Sequence, residues 1–347
     1  MMGCPFGTHR AVDPAGSFPQ PAWRLDNSVD DIYDNEILID VEVLNIDSAS
    51  FMQMKVQSGG DPAKIAGTIA DTVSRRGKQH NPVTGSGGMF TGRVSAIGCY
   101  LKGVKQIDLR EGDCIASLVS LSLTPLKIER IKKVCVETGQ VEVSARAILF
   151  ETGIYARLPA DIPHRLALAA LDVAGAPAQT ARLVRPGDTV MVIGGGGKSG
   201  LFCLYESRKR AGTTGTVIGF GHGEKSVGRM RDLGVCDHVI QGDARDAVSV
   251  LRETGRLTGG RLCDVTINAV NVEGTELSSI LATREGGVVY FFSMATSFTR
   301  AALGAEGIGR DVTMIIGNGY TRGHAARTLD ILRESPEIFR ICSRLYG

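Results

Sequence analysis

The residues best placed to do chemistry lie mid-chain, in VMVIGGGGKSG at 190–200. Gly195, Gly197 and Gly200 have the spacing G-x-G-x-x-G, with Gly196, Lys198 and Ser199 between them. An apolar run at 189–193 reads as a strand before the loop, and an apolar helix opens near Leu201. In that setting the first glycine permits a tight turn, the second lets backbone approach a pyrophosphate, and the third lets helix and strand pack closely. The helix N-terminus then faces the phosphates. The chemistry implied is dinucleotide binding. A nucleoside-triphosphate loop is excluded: Gly197-Lys198-Ser199 supplies its last three residues, but its first glycine falls on Val192.

The next strand ends VIGFGHGEK, with Gly221 where an acid for the ribose hydroxyls of NAD is expected. His222, Lys225 and Arg229 follow as basic neighbours able to hold a 2′-phosphate, so this stretch leans toward NADP or weak discrimination. Asn268-Ala269-Val270 and Phe292-Ser293 end later strands. Open parallel sheets bind ligands at such carboxyl ends, so these residues are expected to meet ribose and nicotinamide.

The elements that must carry these residues are legible in the rest of the chain. Its 347 residues are 43% hydrophobic and 22% charged, a soluble globular mixture long enough for two domains. Lys plus Arg is 39 against 37 Asp plus Glu, so charge offers no case for nucleic acid. No apolar run is long enough to span a membrane, and the start lacks a signal-peptide pattern, so a cytoplasmic protein is expected. The eight cysteines form no C-x-x-C pair and read as reduced. The 44 glycines, against roughly 24 at average usage, suit many tight strand-to-helix turns.

Residues 36–46, EILIDVEVLNI, alternate as a strand, and short strands follow to about 158. From 163 the rhythm changes to helix, then to strands alternating with helices, the pattern of a parallel sheet covered on both faces. The expected fold class is α/β: a GroES-like β-rich catalytic domain at 1–160 and a Rossmann doubly wound domain at 161–309. The tail at 310–347 is expected to return to the first domain.

REGDCIASL (110–118) and RPGDTVMVIGGGG (185–197) resemble the medium-chain dehydrogenase/reductase superfamily. Its zinc members carry a G-H-E segment where this chain has Ser86 and Gly87, and a four-cysteine lobe absent here, so no zinc is expected. CPFGTHR (4–10), NEILIDVEVLNIDSASF (35–51) and VIGGGGKSG (192–200) resemble, more closely, the L-erythro-3,5-diaminohexanoate dehydrogenase family. The resemblance implies oxidative deamination of a diamino acid at C3 in lysine fermentation, NAD as cofactor, and a homodimer.

A diamino acid brings two ammonium groups and one carboxylate. Hydride leaves C3 only once the amine has lost a proton, and water then attacks the iminium, so a base and counter-charges are required. Asp47, just past a strand end near the place of a zinc-binding cysteine, and Asp172, inside the apolar run LALAALDVAGA, are the candidate acids; Glu151 is a third. His80 is a candidate base because imidazole titrates near neutrality. Ser48 and Ser86 are candidate hydrogen-bond partners, and Arg10 a candidate for the carboxylate. The same absences also permit a zinc-independent NADPH-dependent quinone or enoyl reductase, or a nucleotide-binding regulatory protein.

Overall fold

The computed structural model describes residues 1–82, 85–317 and 319–346. They form two compact units, residues 1–172 with Tyr346, and residues 173–345.

The first unit has a two-stranded piece, β1 (Ala11–Asp13) and β2 (Arg24–Leu25), and a six-stranded antiparallel sheet. The sheet comprises β3 (Glu36–Asn45), β4 (Met89–Ile97), β5 (Cys114–Ser117), β6 (Leu126–Cys135), β7 (Gln140–Phe150) and β8 (Tyr155–Arg157), in the order β6-β7-β3-β4-β5-β8. Its helices are α1 (Ser48–Ser58), α2 (Pro62–Arg76), α3 (Cys99–Gly103) and α4 (His164–Leu171). β3 is central, paired with β4 and β7, so Ile37, Ile39, Val41 and Leu44 are buried. α2 sets Ile65, Ile69 and Val73 at four-residue spacing into the same core.

The opening run CPFGTHR anchors the start of β3. Glu36 is fully buried and receives His9 Nε2 at 2.8 Å, Arg10 Nε at 2.9 Å, Arg10 Nη2 at 2.6 Å and the Tyr33 amide at 3.0 Å. His9 Nδ1 accepts from the Cys4 amide, which leaves the ring proton on Nε2 to donate to Glu36. Arg10, expected as a partner for substrate carboxylate, is instead spent on Glu36 and is itself buried.

The second unit is a parallel sheet of β9 (Thr189–Ile193), β10 (Thr216–Gly221), β11 (His238–Gln241), β12 (Cys263–Asn268), β13 (Thr283–Phe291) and β14 (Thr313–Ile316), ordered β11-β10-β9-β12-β13-β14. This is the Rossmann order, with its reversal between β9 and β12. Its helices are α5 (Gly175–Leu183), α6 (Lys198–Ala211), α7 (Glu224–Leu233), α8 (Ala247–Thr258), α9 (Glu276–Ala282), α10 (Phe298–Ile308), α11 (His324–Glu334) and α12 (Pro336–Tyr346).

Three features differ from the sequence reading. The tail does not return to the first unit: β14 pairs with β13 and completes the parallel sheet. The helical run expected from 163 is broken at 172–174, and the units divide after Asp172. α1 and α10 form in stretches to which the sequence assigned no element. Both are capped by side chains, Asp47 and Ser297, a local signal that hydrophobic periodicity does not carry.

Candidate active site

In the first unit, the end of β3 delivers Asp47 to the start of α1. Its Oδ1 accepts the amides of Ala49 and Ser50, each at 3.1 Å, as a helix N-cap does. Its Oδ2 accepts the hydroxyl of Ser86 at 2.6 Å. With that proton directed at Asp47, the 3.1 Å bond between Ser86 Oγ and Ser50 Oγ has Ser50 as donor. The row Ser50–Ser86–Asp47 is thus one hydrogen-bonded chain with a carboxylate at its end.

Glycines bring Ser86 this close. A Cβ on Gly88 would lie 2.0 Å from the Asn45 carbonyl oxygen, and Gly88 has φ +99°. A Cβ on Gly87 would lie 2.3 Å from the Gln79 carbonyl oxygen. Two residues without side chains let the 85–88 segment lie directly on the end of β3. Asn81 closes the loop, its amide bonded to the Ser86 carbonyl and its side chain to Gln53 of α1 at 2.6 Å. Ser50, Asn81 and Gln53 were not among the candidates; only the three-residue spacing from Asp47 to Ser50, typical of a cap, pointed to one of them.

The other candidates fall differently. Ser48 is exposed on the first turn of α1, beside Asp47. His80 lies on the same loop as Ser86, but burial, with Lys78 and Arg76 nearby, pushes its pKa down to about 4. It is neutral near pH 7 and too weak a base for the role its type suggested. The cations responsible are tied down locally, Lys78 Nζ on the Pro19 carbonyl at 2.6 Å and Arg76 Nη1 on the His80 carbonyl at 3.0 Å. Glu151 follows β7 at the register of Glu36, at the far end of β3 from Asp47, about 30 Å away at strand rise. There it binds Lys105 and Asn35, so it does not join the Asp47 group. Asp172 is half-buried at the C-terminus of α4. Gln140, opposite Asn45 in the sheet, holds the Arg165 carbonyl in the first turn of that helix at 3.1 Å. That tether sets α4 beginning at the Asp47 end, with Asp172 about 10 Å along it. Among the described residues, no three His, Cys, Asp or Glu side chains converge as a metal site requires.

In the second unit the glycine loop joins β9 to α6. The left-handed residue is Gly194, φ +83°, one position before the first motif glycine. A Cβ there would lie 2.9 Å from the Val270 amide nitrogen, which sets the loop against Ala269-Val270 where the strand order reverses. Gly195 is packed under Met230 and Leu204. A Cβ on Gly200 would lie 2.1 Å from the Gly194 carbonyl oxygen, so this glycine permits the close helix–loop contact expected of it. Gly197 differs: only the Gly194 oxygen, 3.2 Å from a Cβ there, comes near, and the residue is half-exposed. It is the one motif glycine with open space above it, as a cradle for pyrophosphate requires. The first turn of α6, Lys198, Ser199 and Gly200, presents amides that no carbonyl of the helix accepts. Lys198 also lies near Cys342 of α12, whose thiol burial pushes up to about 12.

Around this cradle, Gly221 is buried at the end of β10, and His222 and Lys225 are exposed beyond it. Arg229 reaches back to the loop, Nε to the Gly196 carbonyl at 2.7 Å. The Asn268 side chain turns inward and bonds Thr275 and Ser279, each at 2.9 Å, which fixes the 269–275 loop. Phe292 and Ser293 are half-buried after β13, with Phe292 N bonded to the Asn268 carbonyl. The arrangement fits a dinucleotide: a glycine cradle, helix amides and a cation at the sheet's switch point.

Comparison with known proteins gives the family. Residues 9–159 match the L-erythro-3,5-diaminohexanoate dehydrogenase N-terminal domain. A protein of Acetoanaerobium sticklandii named L-erythro-3,5-diaminohexanoate dehydrogenase is 56% identical over 346 residues, covering 100% of both chains. The chain belongs to the L-erythro-3,5-diaminohexanoate dehydrogenase family. A Fusobacterium nucleatum protein of the same name is 52% identical over 99% of each chain. The family's fold extends to distant structures. A mycobacterial protein solved with NADPH matches at TM-score 0.56 and 15% identity, over 91% of this chain and 90% of its own.

Proposed function

We propose that the chain oxidises (3S,5S)-3,5-diaminohexanoate at C3 to (S)-5-amino-3-oxohexanoate and ammonium, passing hydride to NAD, in lysine fermentation. Full-length identity of 56% to a relative bearing that name carries the reading. The reading places the chain in the zinc-independent branch of the medium-chain dehydrogenase/reductase superfamily, as a cytoplasmic homodimer.

When bound, the nicotinamide supplies a hydride acceptor. Gly197 and the first turn of α6 would hold its pyrophosphate, with Arg229 and Lys198 as cations beside the loop. The chain's own work is proton handling. Ser86 Oγ accepts a proton from the substrate C3 ammonium while its own passes to Asp47 Oδ2, along the 2.6 Å bond. The freed nitrogen lone pair drives hydride loss from C3. Once Asp47 has released that proton to solvent, the same pair takes a proton from the water that adds to the iminium and passes it to the nitrogen of the resulting carbinolamine. The C–N bond breaks as the C3 hydroxyl gives up its proton, and the departing ammonia takes that proton up as ammonium. Ser50, donating to Ser86, keeps that hydroxyl oriented, and Ser48 offers a further hydrogen bond. Asp172 is the counter-charge for the second ammonium. Nitrogen's lone pair provides the electronic push that an alcohol substrate obtains from a Lewis acid or a placed base.

A substrate panel tests this. Purified chain with NAD and 3,5-diaminohexanoate is expected to form NADH, and quinone or enoyl substrates with NADPH are expected to give no turnover. Turnover of the second set alone would reject the reading.

A further inference from the structure

Dinucleotide sites of this fold often place a carboxylate at the end of the second strand, where it bonds the ribose hydroxyls and repels a 2′-phosphate. Here the position is Gly221, and its neighbours leave no room for an acid. A Cβ on Gly221 would lie 2.6 Å from Ser226 Oγ and 2.9 Å from Met230 Cε. A Cβ on Gly196 would lie 2.2 Å from the Ser226 carbonyl oxygen and 2.3 Å from its Oγ. Ser226, on the first turn of α7, is therefore wedged between the phosphate loop and the strand end, and reaches both across positions kept clear of side chains.

We infer that Ser226 takes the place of the strand-end acid, meeting the adenosine ribose with a hydroxyl, so that the site accepts a 2′-phosphate as well as a 2′-hydroxyl. The inference rests on the dinucleotide reading above and concerns only its adenosine end. A hydroxyl donates as well as accepts, so it can bond either form, and it carries no charge to repel a phosphate. The charges nearby are mostly positive. Arg229, one turn beyond Ser226 on the same face of α7, has its guanidinium on the Gly196 carbonyl. His222 and Lys225 are exposed in the β10–α7 turn. Of the acids, Glu224 is exposed in the first turn of α7, and Asp243, after β11, is forked by Arg245 at 2.6 and 3.0 Å.

The test is equilibrium binding to the full chain, by NADH and NADPH fluorescence and by calorimetry with NAD and NADP, with thermal melting as a fold control. The wild-type chain is expected to bind the two dinucleotides within about tenfold of each other, a difference of about 1.4 kcal/mol. Ser226→Asp is expected to weaken NADP at least about tenfold more than NAD, through like-charge repulsion. Ser226→Ala, which removes atoms and cannot clash, is expected to weaken both about fivefold, as for one lost hydrogen bond. A serine with a purely structural role would lower the melting temperature and leave the NAD to NADP ratio unmoved. Rejection of NADP by more than about a hundredfold in the wild type would overturn the inference. So would an unchanged ratio in a folded Ser226→Asp chain, or unchanged affinities in Ser226→Ala. Failure of the wild type to bind either dinucleotide would instead bring down the underlying reading.

Discussion

At Asp47 one carboxylate serves two ends, with Oδ1 capping α1 and Oδ2 holding the Ser86 proton. The two uses separate by substitution. Asn caps helices about as well as Asp, so Asp47→Asn should melt near the wild-type temperature while kcat falls about 10²–10⁴-fold, the usual worth of a positioned base. Ser86→Ala should show a similar loss; near-normal turnover in either variant would remove the pair from the mechanism. His80 offers a test by pH. Its folded pKa of about 4 lies below the ordinary 6.5, so the unfolded chain binds the extra proton between those values. His80 therefore contributes stability that is complete above about pH 6.5 and is lost as pH falls toward 4. Melting followed from pH 7 to 4 should show less loss in His80→Gln than in wild type, and equal loss would contradict the assigned burial. Asp47 and Ser86 were each legible as candidates in the sequence, but their pairing was not, because two glycines 40 residues downstream create it. Glu151 misled because a polar residue after an apolar strand looks the same at either end of a sheet.

Among the elements, the glycine loop is the clearest case of sequence spacing predicting structure, yet it assigns the turn to the wrong glycine. The motif counts from Gly195, whereas backbone φ selects Gly194, since four glycines in a row leave the register open. The structure distinguishes Gly197 from Gly200. Gly200→Ala places a Cβ 2.1 Å from backbone oxygen and should lower stability as well as dinucleotide binding. Gly197→Ala meets nothing closer than 3.2 Å, at a φ of −80° that alanine adopts readily. It should melt normally and bind NADH at least about tenfold more weakly, because the methyl fills the space meant for phosphate. Normal binding would move the phosphate site elsewhere. The start of β3 makes a separate prediction. Glu36→Gln leaves buried Arg10 with only the partly exposed Asp26, at 3.3 Å, as counter-charge and should cost about 3 kcal/mol in urea unfolding. Burial opposes ionisation of Glu36, but the His9 and Arg10 hydrogen bonds outweigh it and hold its pKa below the ordinary carboxylate value. That contribution is present above the ordinary value and is lost as pH falls through the lowered one.

For the molecule as a whole, the order of β-rich unit then parallel sheet was readable from the change in hydrophobic rhythm, and the fate of the tail was not. A four-residue strand, Thr313–Ile316, carries too little pattern to reveal which sheet it joins. It became the sheet's edge, with Ile316 exposed there and Phe298, Leu303 and Met294 exposed in the preceding segment. An exposed apolar edge of this kind is a template for strand pairing, so the proposed homodimer should sediment at about twice 36.9 kDa, and Ile316→Lys should shift it toward the monomer. A wild-type chain that sediments as monomer would end that proposal. The central claim is chemical, and one stoichiometric measurement tests it most directly. With NAD and 3,5-diaminohexanoate in ¹⁸O-labelled water, NADH and ammonium should appear in equal amounts, and the C3 carbonyl oxygen should carry the label. NADH formed without ammonium, or no reduction of NAD or NADP at all, would contradict the account.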